Sequence, residues 1–296
     1  MLSNISKWFK RKFSKMSVGQ IIVFTIAFIL FAMYALTIIY TIGWSLIASL
    51  KERTLLNTDP FGLPKFSELN FQNYVYAFNE MNVEGCNLLM MLLNSIWYSV
   101  GGTFVSIACS TCMAYVVSKY KFWGRKILYT IAIVIMTLPI MGTLPASYRL
   151  IYALGLNSSP LILLTFTNGF GMNFVILYGF FCNVSWSYAE AGLIDGAGDF
   201  TIFFKIMLPQ AMPAILSLFI IAFIGVWNDY QGPLLYMPEM PTLATGIYIF
   251  KARTSTSGNF HILFAALNLV MLPVLALFIA FQETIMTNTA VGGLKG

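Results

Sequence analysis

The sequence predicts an all-α, polytopic membrane protein: six transmembrane helices carrying one helical loop on the cytoplasmic side. Three observations predict it. Only 9% of the 296 residues are charged and 58% are hydrophobic, whereas a soluble domain carries roughly 25% charged residues. The apolar residues form long windows without any charge, at 16–50, 85–118, 127–148, 150–189 and 206–228, with a last window at 254–282 broken only by His261. The basic residues gather at particular flanks of those windows, as membrane topology requires, so the formal charge of +6 reflects orientation and not nucleic-acid binding.

The N-terminal segment 1–19 holds Lys7, Lys10, Arg11, Lys12 and Lys15 and no acid. The apolar run behind it is too long for the core of a cleavable signal peptide, so it is expected to remain as the first span, near 20–46. About 20 residues cross a bilayer, and the surplus in this window predicts a tilt or an extension beyond the membrane. The next loop holds Lys51, Arg53 and Lys65 against Glu52, Asp59, Glu68, Glu80 and Glu84. Span two falls near 88–116. Lys119, Lys121, Arg125 and Lys126, again without an acid, separate it from span three, near 127–147. Spans four, five and six fall near 160–183, 212–236 and 263–286, and 287–296 forms a Gly-rich tail. The positive-inside rule then places both termini in the cytoplasm. The even number of spans puts the loop at 184–211 on the same side. The transmembrane domain as a whole runs over 20–286.

Little in the chain points to chemistry of its own. No GxxxxGK[ST] run, nucleophile elbow or HExxH is present, so neither catalytic residues nor a bound cofactor are expected. His261 is the only histidine and is too isolated for a metal site. Cys109 and Cys112 form a CxxC, but inside an apolar helix, where they read as packing residues.

The loop between spans four and five is different. Residues 188–215 read YAEAGLIDGAGDFTIFFKIMLPQAMPAI. The punctuation predicts two short helices. Ser187 is expected to cap the first, with Glu190 three residues on completing a capping box, and Gly196 to stop it in the left-handed conformation. Asp199 is expected to cap the second helix. Phe200, Phe203, Phe204 and Met207 then fall on one face, with Thr201 and Lys205 on another, and Pro209 ends the run. Pro213 sits in the first turn of span five. Ala189, Ala191 and Gly192 line the first helix with small side chains. Such a loop either lies on the lipid interface or docks a soluble partner.

Glu190-Ala191-Gly192, then Asp195-Gly196-Ala197, then Ile206-x-Leu208-Pro209 resembles the EAA signature of ABC-importer permeases: Glu-Ala-Ala, three residues, Gly, nine residues, Ile-x-Leu-Pro. The spacing matches at every element. Gly192 stands where the pattern has its second Ala, a change that loosens a helix by up to ~1 kcal/mol. Other stretches are similar to the carbohydrate-uptake, maltose-transporter-type branch: Asn70-Phe71-Gln72-Asn73-Tyr74, Asn94-Ser95, Ala114-Tyr115, Phe122-Trp123-Gly124-Arg125, Leu154-Gly155-Leu156, Trp227-Asn228-Asp229 and the tail Gly292-Gly293-Leu294-Lys295-Gly296. The resemblance implies an inner-membrane permease in a bacterial cell membrane. It further implies pairing with a second, different permease, two cytoplasmic ATP-binding subunits that carry ATP and Mg, and an extracytoplasmic solute-binding protein. It assigns docking of the ATP-binding subunit to Ala189, Glu190, Ala191, Gly192, Asp195, Gly196, Ala197, Leu208 and Pro209.

A sugar crossing a membrane needs hydrogen-bonding side chains, and polar residues within spans default to function because their desolvation is costly. Asn94, Asn173, Trp227, Asn228 and Asp229 are the candidate path, with Ser95, Asn168 and Asn268 nearby. The rival role for such residues is interhelical bonding. Asp229 lies roughly 24 Å into a helix starting at Pro213, near the outer interface, where a solvated or paired acid is expected, and Trp227 beside it fits an interfacial belt. The Thr/Ser run at 254–258 suggests a flexible outer loop. An ion-gradient-driven secondary transporter is the alternative. It calls for internal repeats and a midplane charge, neither of which the sequence offers.

Overall fold

The computed structural model describes residues 17–138 and 142–291. The basic N-terminal cluster from Lys7 to Lys15 and the Gly-rich tail 292–296 lie outside the described residues. The helices are α1 Val18–Ser49, α2 Arg53–Thr58, α3 Gln72–Glu80, α4 Leu88–Lys119, α5 Arg125–Thr137, α6 Thr143–Ala153, α7 Met172–Asn183, α8 Ser187–Ile194, α9 Asp199–Trp227, α10 Gln231–Tyr236, α11 Leu243–Ser257 and α12 Phe260–Val291. Among the described residues there is no named strand.

Four of these helices, α1, α4, α9 and α12, are long and apolar enough to cross a membrane. In α1, Ser17 Oγ accepts from the Gln20 backbone N–H while Gln20 Oε1 accepts from that of Ser17, a reciprocal cap that satisfies two helix-end donors. Its 32 residues span about 48 Å, more than the hydrocarbon core needs. Most of its surface is exposed in the isolated chain, as suits a helix that is apolar all round and meets lipid or another membrane subunit.

The far end of α1 is fixed by polar bonds. Asn73, itself buried, donates from Nδ2 to the carbonyls of Ser49 and Lys51, both at 2.8 Å. Ser45 Oγ donates to Asn268 Oδ1 at 3.1 Å, and Asn268 Nδ2 donates back to the Ser45 carbonyl at 3.2 Å. Lys51 is buried, with Nζ donating to the Asp59 carbonyl at 2.6 Å. In this apolar frame Asn268 bonds between helices.

Spans three and four are not the single helices expected at 127–147 and 160–183. The third stops at Thr137, after about 20 Å. Leu138 is extended (ψ 117°), as a residue preceding proline prefers, and α6 restarts behind Gly142 at φ +81°. The fourth begins as a 3₁₀ segment, Pro160–Phe166, and becomes helical again only at α7. Between them lies Asn168-Gly169-Phe170-Gly171, where Asn168 Oδ1 accepts from the Phe170 N–H at 3.2 Å, a local bond that competes with helix. Hydropathy is continuous across both stretches; helicity is not. The fifth expected span, 212–236, is shifted. The helix starts at Asp199 and ends at Trp227, and α10 follows after Asn228 and Asp229.

The stretch at 254–258 is also no flexible loop. It closes α11, with Thr254 buried, Gly258 at φ +73° donating its N–H to the Thr254 carbonyl, and Arg53 Nη2 donating to the Ser257 carbonyl at 2.8 Å. Three cores result, the smallest around Tyr98, Ile151, Ile162 and Met237. One, around Met81, Met91, Phe223, Trp227 and Leu243, binds α3, α4, α9, α11 and α12. The second, around Tyr115, Phe174, Phe181, Phe203 and Met207, sits under α8.

Candidate functional site

The loop 184–211 is built on that second core. Its first helix, α8, begins at Ser187, so Ser187 is not the cap and makes no capping box with Glu190. Trp186 holds the cap position, and Ser185 Oγ accepts from the Ser187 N–H at 3.2 Å. Glu190 stays exposed in the first turn, where a negative charge complements the helix dipole. The expected stop at Gly196 is present. Gly196, at φ +81°, donates its N–H to the Leu193 carbonyl, and Ala197 donates to that of Gly192. This pair of bonds is the Schellman termination, which needs a residue free to take positive φ.

The second helix is not separate. It is the first part of α9, and Pro209 does not end it. Residues Ile202–Met207 form a π turn directly before the proline. A wider turn there accommodates a ring that otherwise clashes with the carbonyl four residues back, and Pro209 lacks the donor whose bond would be lost. The same turn changes the phase of the face. Ile202, Phe203 and Met207 are buried, while Phe200 and Phe204 are exposed, correcting the expected stripe of Phe200, Phe203, Phe204 and Met207. Asp199 lies in the first turn and Gly198 at the cap; the Asp199 carboxylate instead accepts from Tyr120 Oη at 3.0 Å.

The small residues of α8 divide by direction. Ala189 and Gly192 are buried against α9, and a Cβ on Gly192 would stand 2.7 Å from Ile206 Cδ1. Ala191, Glu190 and Asp195 face outward with Gly196, while Ala197 and Leu208 are half-buried and Pro209 is exposed. Around them the loop also exposes Tyr188, Leu193, Ile194 at 86%, Phe200 at 81% and Phe204. That is an apolar patch rimmed by acids on a segment held rigidly from behind.

What holds it is α4. Lys119 Nζ donates to the Val184 carbonyl at 2.5 Å. Tyr120 packs edge-on to Trp186 with centroids 6.0 Å apart, and Tyr115 meets Phe203 at 4.8 Å and Phe181 at 5.5 Å. Burial first, then the neighbouring Tyr115 and the bond to Asp199, pushes the Tyr120 phenol above its ordinary pKa of 10. Sequence reasoning missed Lys119, Tyr120 and Trp186 as loop supports; the aromatic pair Tyr115 and Tyr120 at the end of a span was the available signal.

The candidate path residues are not gathered in one place. Asn173 lies in the first turn of α7 and borders a cavity of about 250 Å³ with Ser106, Ser110, Thr165, Asn168 and Phe170, beside the break in the fourth apolar segment. Asn94 is buried, donating from Nδ2 to the Pro241 carbonyl at 3.1 Å and accepting from Trp97 Nε1 at 3.3 Å. Trp227 is buried beside Phe223, with centroids 5.6 Å apart. Asn228 donates from Nδ2 to the Ile224 carbonyl at 2.8 Å. Asp229 Oδ1 accepts from the Gln231 and Gly232 N–H groups at 2.9 and 3.1 Å, starting α10. Ser95 Oγ accepts from the Leu243 N–H at 2.7 Å. Among the described residues no cluster of His, Cys, Asp and Glu could hold a metal ion.

Known proteins share this architecture. The crystal structure of a bacterial ABC transporter involved in the import of the acidic polysaccharide alginate contains a chain that superposes with a TM-score of 0.74. The identity is 21%, covering 90% of this chain and 98% of that one, a likeness of fold. The diacetylchitobiose uptake system permease protein NgcG of Streptomyces coelicolor is 28% identical over 271 residues, covering 90% of this chain and 87% of the relative. The maltodextrin transport system permease protein MalD of Streptococcus pneumoniae is 30% identical over 277 residues, covering 88% and 95%. The galactooligosaccharides transport system permease protein GanQ of Bacillus subtilis is 28% identical over 287 residues, covering 95% and 99%. The model of the binding-protein-dependent transport system inner membrane component family matches residues 106–287, which take in α8, its supports on α4 and the polar cavity, and with more than half its length so matched the chain belongs to that family.

Proposed function

We propose that the chain is the permease subunit of an ATP-driven importer for a sugar or oligosaccharide. In this reading the outward face of α8 and the first turn of α9 receive an ATP-binding subunit. The observation that carries it is the exposed apolar patch of Leu193, Ile194, Phe200 and Phe204 beside Glu190. Large apolar side chains held out by a rigid scaffold mark an interaction surface. The scaffold is stiff because the Schellman turn, the Tyr120–Asp199 bond and the aromatic packing under α8 all bear on it. A push on α8 therefore passes into α4 and α9 through packed side chains.

The remaining partners follow from the family and from what the relatives are named for. A second, different permease completes the pore, and a solute-binding protein delivers the sugar. Two ATP-binding subunits carry ATP and Mg, and this chain holds neither. Both termini and the loop are cytoplasmic, and the protein resides in a bacterial inner membrane. The two interrupted apolar segments, α5 with α6 and the 3₁₀ segment with α7, make the third and fourth crossings. Non-helical backbone at membrane depth is tolerated where it borders a polar cavity, and the cavity at Asn168 and Asn173 lies at such a break. It supplies amide and hydroxyl groups to a passing sugar.

Reconstitution tests the reading. Uptake of labelled oligosaccharide into proteoliposomes should require ATP, the binding protein and the ATPase subunits, and should withstand a protonophore. Uptake that persists without ATP and collapses with the protonophore overturns it in favour of an ion-coupled carrier.

A further inference from the structure

The turn from α4 into α5 and its flanks are strongly basic. Lys119 ends α4, Lys121 follows it, Arg125 and Lys126 open α5, and no acid occurs anywhere in residues 85–189. Lys65 pairs with Glu68 elsewhere in the chain, at 3.8 Å. Behind this turn, between α5 and α7, lies a concavity of about 260 Å³ lined by Arg125, Lys126, Tyr129, Thr130 and Tyr178. The rings of Tyr129 and Tyr178 stand 4.6 Å apart and form its wall. Arg125 is half-buried and uses Nη2 on the Ser118 carbonyl at 3.0 Å, which fixes the guanidinium at the rim.

We propose that this concavity binds the phosphodiester headgroup of an anionic phospholipid. A guanidinium, an ammonium and phenol hydroxyls together supply the charge and the donors that a phosphate oxygen accepts. The surroundings favour a lipid over a soluble phosphate. Trp123, in the same basic turn, is 94% exposed, and an exposed indole prefers the headgroup region. Beside the concavity, on the neighbouring face of α5, Ile127, Ile131, Val134 and Ile135 are all exposed. Their i, i+4, i+7, i+8 spacing makes an apolar stripe that borders the concavity along the Lys126, Thr130, Val134 ridge and on which an acyl chain can lie. A charged head and an apolar track on one helix match an amphiphile. Basic pockets between membrane helices on the cytoplasmic side recognise such headgroups. The proposal goes beyond the importer reading and uses it only to assign the inner leaflet.

Native mass spectrometry of the full chain, released from mild detergent after exposure to phosphatidylglycerol or phosphatidylcholine, tests it. Phosphatidylglycerol should stay bound and phosphatidylcholine should not. Lys126→Gln should lower retention about five-fold, Lys126→Arg should restore it, and Lys121→Gln, which alters an exposed cation outside the concavity, should change it less than about two-fold. Equal loss from Lys121→Gln and Lys126→Gln would mean diffuse attraction and overturn the site. Glycerophosphoglycerol, the soluble headgroup, should fail to displace the lipid; displacement at equal concentration would assign the concavity to a soluble phosphodiester and overturn the lipid. Lipid retention in detergent does not depend on sidedness or on ATP, so its failure is separate from failure of the importer reading.

Discussion

Tyr120, one residue past the end of α4, donates its phenol hydrogen to Asp199 Oδ1 at 3.0 Å, and so joins a membrane-spanning helix directly to the first turn of the loop's second helix. The two residues are 79 positions apart in the chain, and neither makes an ion pair.

Tyr120→Phe keeps the ring that packs on Trp186 and removes only the hydrogen bond. A bond to a charged acceptor is worth about 1.5–3 kcal/mol when buried, and Asp199 is exposed, so a loss of about 1 kcal/mol is expected. Hydrogen exchange should speed up about five-fold in the amides of α8 and the start of α9, with the rest of the chain unchanged. Because the Tyr120 pKa is raised above 10, the contact should be fully present below about pH 10 and lost as pH rises through the higher value.

Gly196 and Glu190 should fail in different ways. Gly196→Ala places a side chain at φ +81° and should cost about 1 kcal/mol. Gly196→Pro also removes the N–H that bonds to the Leu193 carbonyl and should re-aim α8. Among the described residues Glu190 makes no side-chain bond, so Glu190→Ala should alter stability by less than about 0.5 kcal/mol. Both Glu190→Ala and Gly196→Pro are nonetheless expected to reach the membrane at normal levels and to lose the ATPase subunit on affinity purification. Retention of the ATPase with full uptake in both variants would leave the loop as a lipid-interface element.

At Gly192 the departure from the family's second alanine has a local cause. A Cβ there meets the tip of Ile206 at 2.7 Å. Gly192→Ala gains up to ~1 kcal/mol of helix propensity and loses a similar amount by displacing that methyl, so it should be near neutral in thermal unfolding. The double variant Gly192→Ala/Ile206→Val removes the clash and should be more stable than either single variant, a coupling measurable in a double-mutant cycle. Additivity would mean that the two residues do not press on one another.

How much of this was legible in the sequence depended on the kind of signal. Charge-free windows located α1, α4 and α12 within a few residues, because burial in lipid demands long apolar runs. Gly196 was legible because a positive φ at a helix end has few other solutions. The breaks at Leu138 and at Asn168 to Gly171 were obscured because hydropathy measures solvent preference and carries no information on backbone continuity. The passage of α9 through Pro209 was hidden for another reason. Proline rules assume an α register, and a π turn replaces that register just before the ring. Asn94 and Asn268 read equally well as path or as interhelical bonds until their partners, the Pro241 carbonyl and Ser45, were in view.

The polar cavity and the far end of α1 offer a last contrast, between a residue of passage and a residue of structure. Asn73 is 1% exposed and its amide serves two backbone carbonyls at once. Asn73→Ala leaves both acceptors buried without a donor, at about 1–3 kcal/mol each. Asn73→Asp is expected to be worse, since a carboxylate donates nothing and faces two carbonyl dipoles. Both should lower the unfolding temperature in detergent and the yield in the membrane. Asn173→Leu should behave oppositely. Asn173 is half-buried at the cavity edge, and leucine there removes an amide from the space a sugar would cross while adding apolar bulk that lipid or protein tolerates. Yield, unfolding temperature and ATPase retention should stay near normal, and oligosaccharide uptake should fall by roughly ten-fold or more, about 1.4 kcal/mol of lost interaction. Normal uptake by Asn173→Leu would remove the cavity from the path, and a loss of folding in that variant would make Asn173 a structural residue like Asn73.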